Sequence, residues 1–255
     1  MSGEKATSPN VIIFGETGSG KSSVINMLSE SMVAPISSGA TGCTFRHVRY
    51  PVLINGETYN LYDTSGLDEG EQGKVAKQDA IAQLYQLIVD LEDGVSLLVF
   101  CMRGPRIKEA AHKNWRLFHE VFCKKTVPIV IVVTGLEQED PMDGWWRANK
   151  AAFHKYQMIP SGNACITATR GKQTRSGRYV FEDEFEESRL KVAKLIEDSA
   201  LAVPWKVNRI QWFSDITICL MKFRIGEAPE IKEMAKRCNI AEDEAKELAE
   251  RLNGV

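Results

Sequence analysis

The stretch Gly15-Glu16-Thr17-Gly18-Ser19-Gly20-Lys21-Ser22 decides how the rest of the chain is read. It follows the apolar run Val11–Phe14, which reads as a buried strand. It opens onto Lys21–Glu30, where Val24, Ile25 and Leu28 fall at helical spacing. The pattern G-x-x-x-x-G-K-[ST] between a strand and a helix is a phosphate-binding loop. Its glycines let the backbone curl until successive N–H groups point at phosphate oxygens. Lys21 adds a positive charge between the β and γ phosphates, and the Ser22 hydroxyl suits Mg²⁺. The helix N-terminus faces the same anion. The expected phosphate contacts are therefore Gly15, Glu16, Thr17, Gly18, Ser19, Gly20, Lys21 and Ser22, with Ser23 next along the helix.

Beyond a Ser/Gly/Pro-bearing loop, Ser31–Gly42, the pattern changes. Arg46–Ile54 and Glu57–Asp63 are rich in Val, Tyr, Leu and Ile, with Asn55-Gly56 between them, the signature of a two-residue hairpin turn. Helical and strand patterns then alternate. Helices are expected at Val75–Leu91, Ile107–Phe122, Asp143–Gln157 and Glu182–Ala202, and strands at Val95–Cys101, Pro128–Val133 and Ala164–Thr167. This order predicts an α/β three-layer sandwich. Its sheet is mostly parallel and six-stranded, with one antiparallel strand from the early hairpin. The expected organisation is a polar tail at 1–9, a nucleotide-binding domain at 10–203 and a helical C-terminal extension at 204–255.

Composition narrows the function classes. The chain has 255 residues, with 32 basic against 34 acidic side chains and a net charge of −2. That balance argues against a nucleic-acid binder, which would show a basic excess. The six cysteines show no CxxC pair, and several lie in apolar runs, so they read as reduced thiols of a cytoplasmic protein. No signal peptide and no 18-residue apolar stretch is present, so stable membrane insertion is not expected. Trp212, Phe213, Ile216 and Leu220 cluster in the extension. Only Lys222 and Arg224 accompany them, so packing on the domain or a partner is favoured over a membrane face.

Asp63-Thr64-Ser65-Gly66 closes the second hairpin strand. A carboxylate there reaches Mg²⁺ through water, and the Gly66 N–H is free for a γ-phosphate. With GETGSGKS, a Thr-bearing loop and DTSG in this order, residues 10–203 resemble a TRAFAC-class P-loop GTPase G domain. Within that class GETGSGKSSVINML and DTSGL are most similar to the branch holding septins, immunity-associated GTPases and chloroplast import-receptor GTPases.

The resemblance implies GTP and GDP as ligands, Mg²⁺ as cofactor, and a molecular switch that hydrolyses GTP slowly. It implies Ser22, Asp63 and a loop threonine as metal ligands. Thr44 is favoured over Thr41, since it leaves a better-balanced hairpin. The guanine-reading pattern [NT]-K-x-D departs here to Thr134-Gly135-Leu136-Glu137, with Gly for Lys and Glu for Asp. A carboxylate accepts from guanine N1 and N2, so Glu137 is the expected base reader, with Glu139 and Asp140 as rivals. Ile166-Thr167-Ala168-Thr169 resembles the loop whose alanine N–H meets guanine O6, which adds Ala168 and Thr169 to Thr134 and Glu137 on the guanine side.

Where Ras-like members place a water-orienting Gln after D-x-x-G, this chain has Leu67. The catalytic residue stays open, with Arg103, Arg106 and His47 as candidates, either arginine acting across a homodimer formed through the nucleotide face. Two alternatives stand beside the switch: an assembly module with negligible hydrolysis, and an adenine-nucleotide P-loop enzyme. The basic segment Arg170–Arg178 would be the lid of the latter but follows the sheet strands.

Overall fold

The computed structural model describes residues 8–34, 46–65, 87, 91, 93–105, 112, 115, 119, 123 and 125–206. Along these run strand β1 (Asn10–Phe14), helix α1 (Lys21–Ser29), the hairpin β2 (Arg46–Ile54) and β3 (Glu57–Ser65), then β4 (Leu97–Arg103) and β5 (Ile129–Thr134). Helix α2 (Asp143–Lys155), strand β6 (Gly162–Cys165) and helix α3 (Glu182–Ser199) complete them. The six strands form one sheet in the order β2-β3-β1-β4-β5-β6. Only β2 runs antiparallel to its neighbour, as expected. Asn55 and Gly56 both take positive φ, 49° and 89°, which is what the tight turn between β2 and β3 requires.

Strand periodicity divides the core in two. Along β1, Val11 and Ile13 face one side with Leu97, Val99, Val130 and Val132, where α1 and α3 supply Val24, Ile25, Val192 and Ile196. Ile12 and Phe14 face the other side with Leu98, Phe100, Ile131 and Val133, closed by Trp115, Trp145 and Phe153. Each such fully buried side chain contributes roughly 1.5–3 kcal/mol. The near-continuous apolar runs of β1, β4 and β5 reflect burial on both faces.

Several element ends differ from expectation. β3 continues to Ser65 and β4 to Arg103. Their polar last residues keep the ladder because a neighbour pairs with them, Ser65 with Arg46 and Arg103 with Thr134. β6 spans Gly162–Cys165, so Ile166 and Thr167 already belong to the loop. α3 stops at Ser199, with Ala200 extended. The chain stays on the domain past Val203, since Val95 and Trp205 exchange backbone hydrogen bonds of 2.8 and 2.9 Å. Outside the described residues lie 1–7, 207–255, and the expected helices at 75–91 and 107–122 apart from single positions.

Candidate functional site

β1 sits between β3 and β4, and the loops that follow β1, β3, β4, β5 and β6 leave the sheet at its carboxyl edge. This is the switch point at which open α/β sheets bind ligands. The first loop is built on close approach. Gly15 has φ +146°, and a Cβ there would lie 2.0 Å from the Cys101 carbonyl oxygen, so only glycine fits against β4. The Ser19 N–H donates to the Glu16 carbonyl at 3.0 Å, and Gly20 turns left-handed into α1. Lys21 is buried and its Nζ donates to the carbonyls of Gly15 and Glu16 at 2.9 and 3.1 Å. The loop is therefore curled around its own ammonium, which keeps a third donor. No side chain caps α1, so its first N–H groups face the loop's hollow with Ser22 and Ser23 on the first turn. The Ser19 hydroxyl oxygen is buried without a partner.

The end of β3 is equally tight. Ser22 Oγ donates to Asp63 Oδ2 at 2.6 Å, while Asp63 Oδ1 is buried with no partner. A hydroxyl and a carboxylate in contact, with one carboxylate oxygen unsatisfied, fit a hard divalent cation. Thr64 fixes this strand end by donating to the Ile13 carbonyl at 2.9 Å. His47 stands opposite Thr64 in the β2–β3 register. Thr41, Thr44, Gly66, Leu67 and Arg106 lie outside the described residues.

On the β5 side, Thr134 Oγ1 donates to the Ser19 carbonyl at 2.8 Å, which joins the turn after β5 to the loop after β1. Gly135 has φ +77°, and Leu136 N–H donates to the Ile166 carbonyl at 3.2 Å. Glu137 is half-buried and its Oε2 is buried without a partner, whereas Glu139 and Asp140 are exposed. Beyond β6, the Thr167 N–H donates to Ser188 Oγ at 3.1 Å, and Thr167 Oγ1 bridges to the backbone of Thr169, so Ala168 is presented from a fixed loop. Ser188, fully buried on α3, shows no motif in the sequence; its role follows from position alone. Arg170 anchors the same loop by pairing with Glu182 and Glu186 and lying over the Phe185 ring. A cavity of about 340 Å³ opens between Glu16–Ser19 and Phe100–Pro105. Burial pushes the Cys101 thiol beneath the loop up to about 12, so it is no nucleophile there.

The family model of the 50S ribosome-binding GTPase matches residues 10–135, just under half the chain, and ends on the turn that carries Gly135. Over this stretch the chain is similar to P-loop GTPases. Among curated proteins, the chain is 27% identical over 143 residues to the tRNA modification GTPase MnmE of Sinorhizobium medicae, covering 56% of this chain and 29% of that protein. It is 28% identical over 153 residues to the GTPase Der of Borreliella burgdorferi, covering 58% and 33%. The match thus spans about a third of those relatives' length. Among solved structures, Era in complex with MgGDPNP and part of 16S ribosomal RNA aligns at a TM-score of 0.50 and 17% identity, over 77% of this chain and 58% of that one. Toc33 from Arabidopsis thaliana with GDP and Mg²⁺ aligns at a TM-score of 0.48 and 18% identity, over 77% and 88%. No helix among the described residues is long and apolar enough to cross a membrane.

Proposed function

We infer that this chain is a guanine-nucleotide switch that binds GTP and GDP with Mg²⁺ and hydrolyses GTP slowly. One observation carries the reading. The curled loop around Lys21 lies between two carboxylates that each keep a buried, unpartnered oxygen, Asp63 on the metal side and Glu137 on the base side. An unpaired buried acceptor costs free energy, and a ligand that supplies the donor recovers it. Guanine offers N1–H and N2–H to such a carboxylate; adenine has no matching donors. Thr134, Ala168 and Thr169 complete the base side.

Ser22 and Asp63, with Thr44 from the loop before β2, would hold Mg²⁺. The ion when bound neutralises charge on the β and γ phosphates. In hydrolysis a water attacks the γ-phosphorus, the β–γ bridging P–O bond breaks, and GDP leaves with the bridging oxygen. Lys21 and the N–H groups of Gly18–Ser23 meet the charge that develops there, and the Gly66 N–H meets the γ-phosphate. Leu67 cannot orient the water, which makes the intrinsic rate low. A homodimer through the nucleotide face supplies what is missing, with Arg106 or Arg103 acting across it, and His47 is the further candidate. Residues 10–203 form the catalytic unit, and 204–255 a helical extension.

The ligand is a small anion rather than a nucleic acid, which the net charge of −2 supports. The buried free thiols Cys101, Cys123 and Cys165 support a cytoplasmic setting. The second reading, a nucleotide-gated assembly module without turnover, rests on Leu67. Steady-state phosphate release across a wide range of protein concentration separates the two. Release per molecule that rises with concentration is expected; none at any concentration leaves the assembly module.

A further inference from the structure

Gly135 carries no side chain, and Arg103 of another strand borders the space its Cβ would enter. A Cβ built there would lie 3.3 Å from Cγ, 3.4 Å from Nε and 3.8 Å from Cζ of Arg103. The two strand ends are in register, Arg103 opposite Thr134. The backbone after Arg103 is held from both flanks. Gly104 N–H donates to the Thr134 carbonyl at 2.8 Å, and Trp145 Nε1 donates to the Pro105 carbonyl at 3.2 Å. Leu136 bars any side chain at Gly104, where a Cβ would meet its Cδ2 at 2.6 Å. Arg103 therefore leaves the sheet from a fixed point. Its own side chain is exposed and its guanidinium has no hydrogen bond or ion pair with the described residues. Glu137, two residues beyond Gly135, keeps a buried carboxylate oxygen without a partner and does not pair with it. Arg103 lines the cavity that it shares with the phosphate loop.

A purine makes two demands on such a site: donors and acceptors at its edge, and cover for its flat face. We propose that Arg103 is the clamp on the base, its planar guanidinium lying along Gly135 and stacking on the guanine whose edge Glu137 reads. This rests on the guanine-nucleotide reading above and adds a base-binding residue from β4. A guanidinium suits the task because it is planar, permanently charged and weakly hydrated. A glycine at 135 leaves the guanidinium room to lie alongside the backbone, and the φ of +77° there favours glycine as well. It also sets Arg103 to work within its own site rather than across a dimer.

Calorimetric titration of the full chain with Mg²⁺ and either GDP or a non-hydrolysable GTP analogue tests this, with a melting curve confirming that each variant folds. Arg103→Ala is expected to weaken both nucleotides about tenfold, equally, at every protein concentration. Gly135→Lys alone is expected to weaken binding, through crowding of Arg103 and through the left-handed backbone at 135. The double variant Arg103→Ala, Gly135→Lys should recover at least about threefold of the loss, because the lysine enters the vacated space. Unchanged affinity in Arg103→Ala, or a loss confined to the triphosphate, overturns the proposal while the guanine-nucleotide reading stands. Failure of the unsubstituted chain to bind GDP brings down both.

Discussion

Thr134 Oγ1 donates a 2.8 Å hydrogen bond to the carbonyl of Ser19, so the turn that ends β5 and the loop that follows β1 are held as one body. Gly20 makes this possible, because a Cβ there would lie 3.1 Å from the Thr134 side chain. A bond between the turn after β5 and the loop after β1 means that disturbing one loosens the other.

Thr134→Val keeps the shape and deletes the donor. We expect a loss of about 1–2 kcal/mol in urea unfolding, since the buried Ser19 carbonyl loses a partner. We also expect GDP to dissociate several-fold faster in stopped flow. Unchanged values for both would mean that the bond does not couple the two loops.

The glycines of the phosphate loop should differ in sensitivity. Gly15→Ala places a methyl 2.0 Å from the Cys101 backbone and should cost about 3 kcal/mol or more, or prevent folding. Gly18 has φ +76° but open space around its Cβ position, so Gly18→Ala should cost only the left-handed strain of about 1–2 kcal/mol. Equal losses in denaturant midpoints would contradict the packing assigned to Gly15.

The metal side makes its own prediction. Asp63→Asn removes the charge beside Ser22 while leaving the amide able to occupy the same space. Mg²⁺ should then raise the affinity for GTP about tenfold less than in the unsubstituted chain, the loss of one charge-assisted contact. Binding measured in EDTA should hardly change. An undiminished Mg²⁺ effect would remove Asp63 from the metal site.

Buried thiols set the alkaline limit. Burial raises the Cys101 thiol from 9.0 to about 12, and Cys123 is raised as well. In the unfolded chain these groups ionise above their ordinary value while in the folded chain they stay protonated. Stability is therefore full below pH 9 and falls as pH climbs toward 12. The slope is about 1.4 kcal/mol per pH unit for each thiol. Cys123→Ala should flatten the profile of urea midpoints between pH 9 and 11; a profile equally steep in both proteins would assign the loss elsewhere.

Much of the fold could be read along the chain because the parallel strands are buried on both faces. That gives Val11–Phe14 and Ile129–Val133 as unbroken apolar runs, and glycine-bearing turns punctuate them. Strand ends were less legible. Arg103, Thr134 and Ser65 are polar, yet they extend the ladder because their partners are already in place, which is a matter of long-range register. The bridge from Val95 to Trp205 uses backbone groups and leaves no pattern in side-chain types. In the site, the phosphate loop and Asp63 were visible because their chemistry fixes residue types. Ser188, which orders Thr167 from α3, was not, and Arg103 stood out only as a catalytic candidate, since its place beside Gly135 joins elements far apart in sequence. The cluster Glu137, Glu139 and Asp140 was ambiguous as letters; burial alone separates Glu137 from the other two.

The central claim is that this site holds a guanine nucleotide read by Glu137. Equilibrium titration of the full chain with GDP and with ADP in the presence of Mg²⁺, repeated for Glu137→Ala, tests it most directly. We predict at least about hundredfold preference for GDP, the scale at which a site built to hydrogen-bond its ligand rejects one without the matching donors. Glu137→Ala should lose most of that preference. ADP binding as tight as GDP, or a preference for GDP unaffected by Glu137→Ala, would contradict the account.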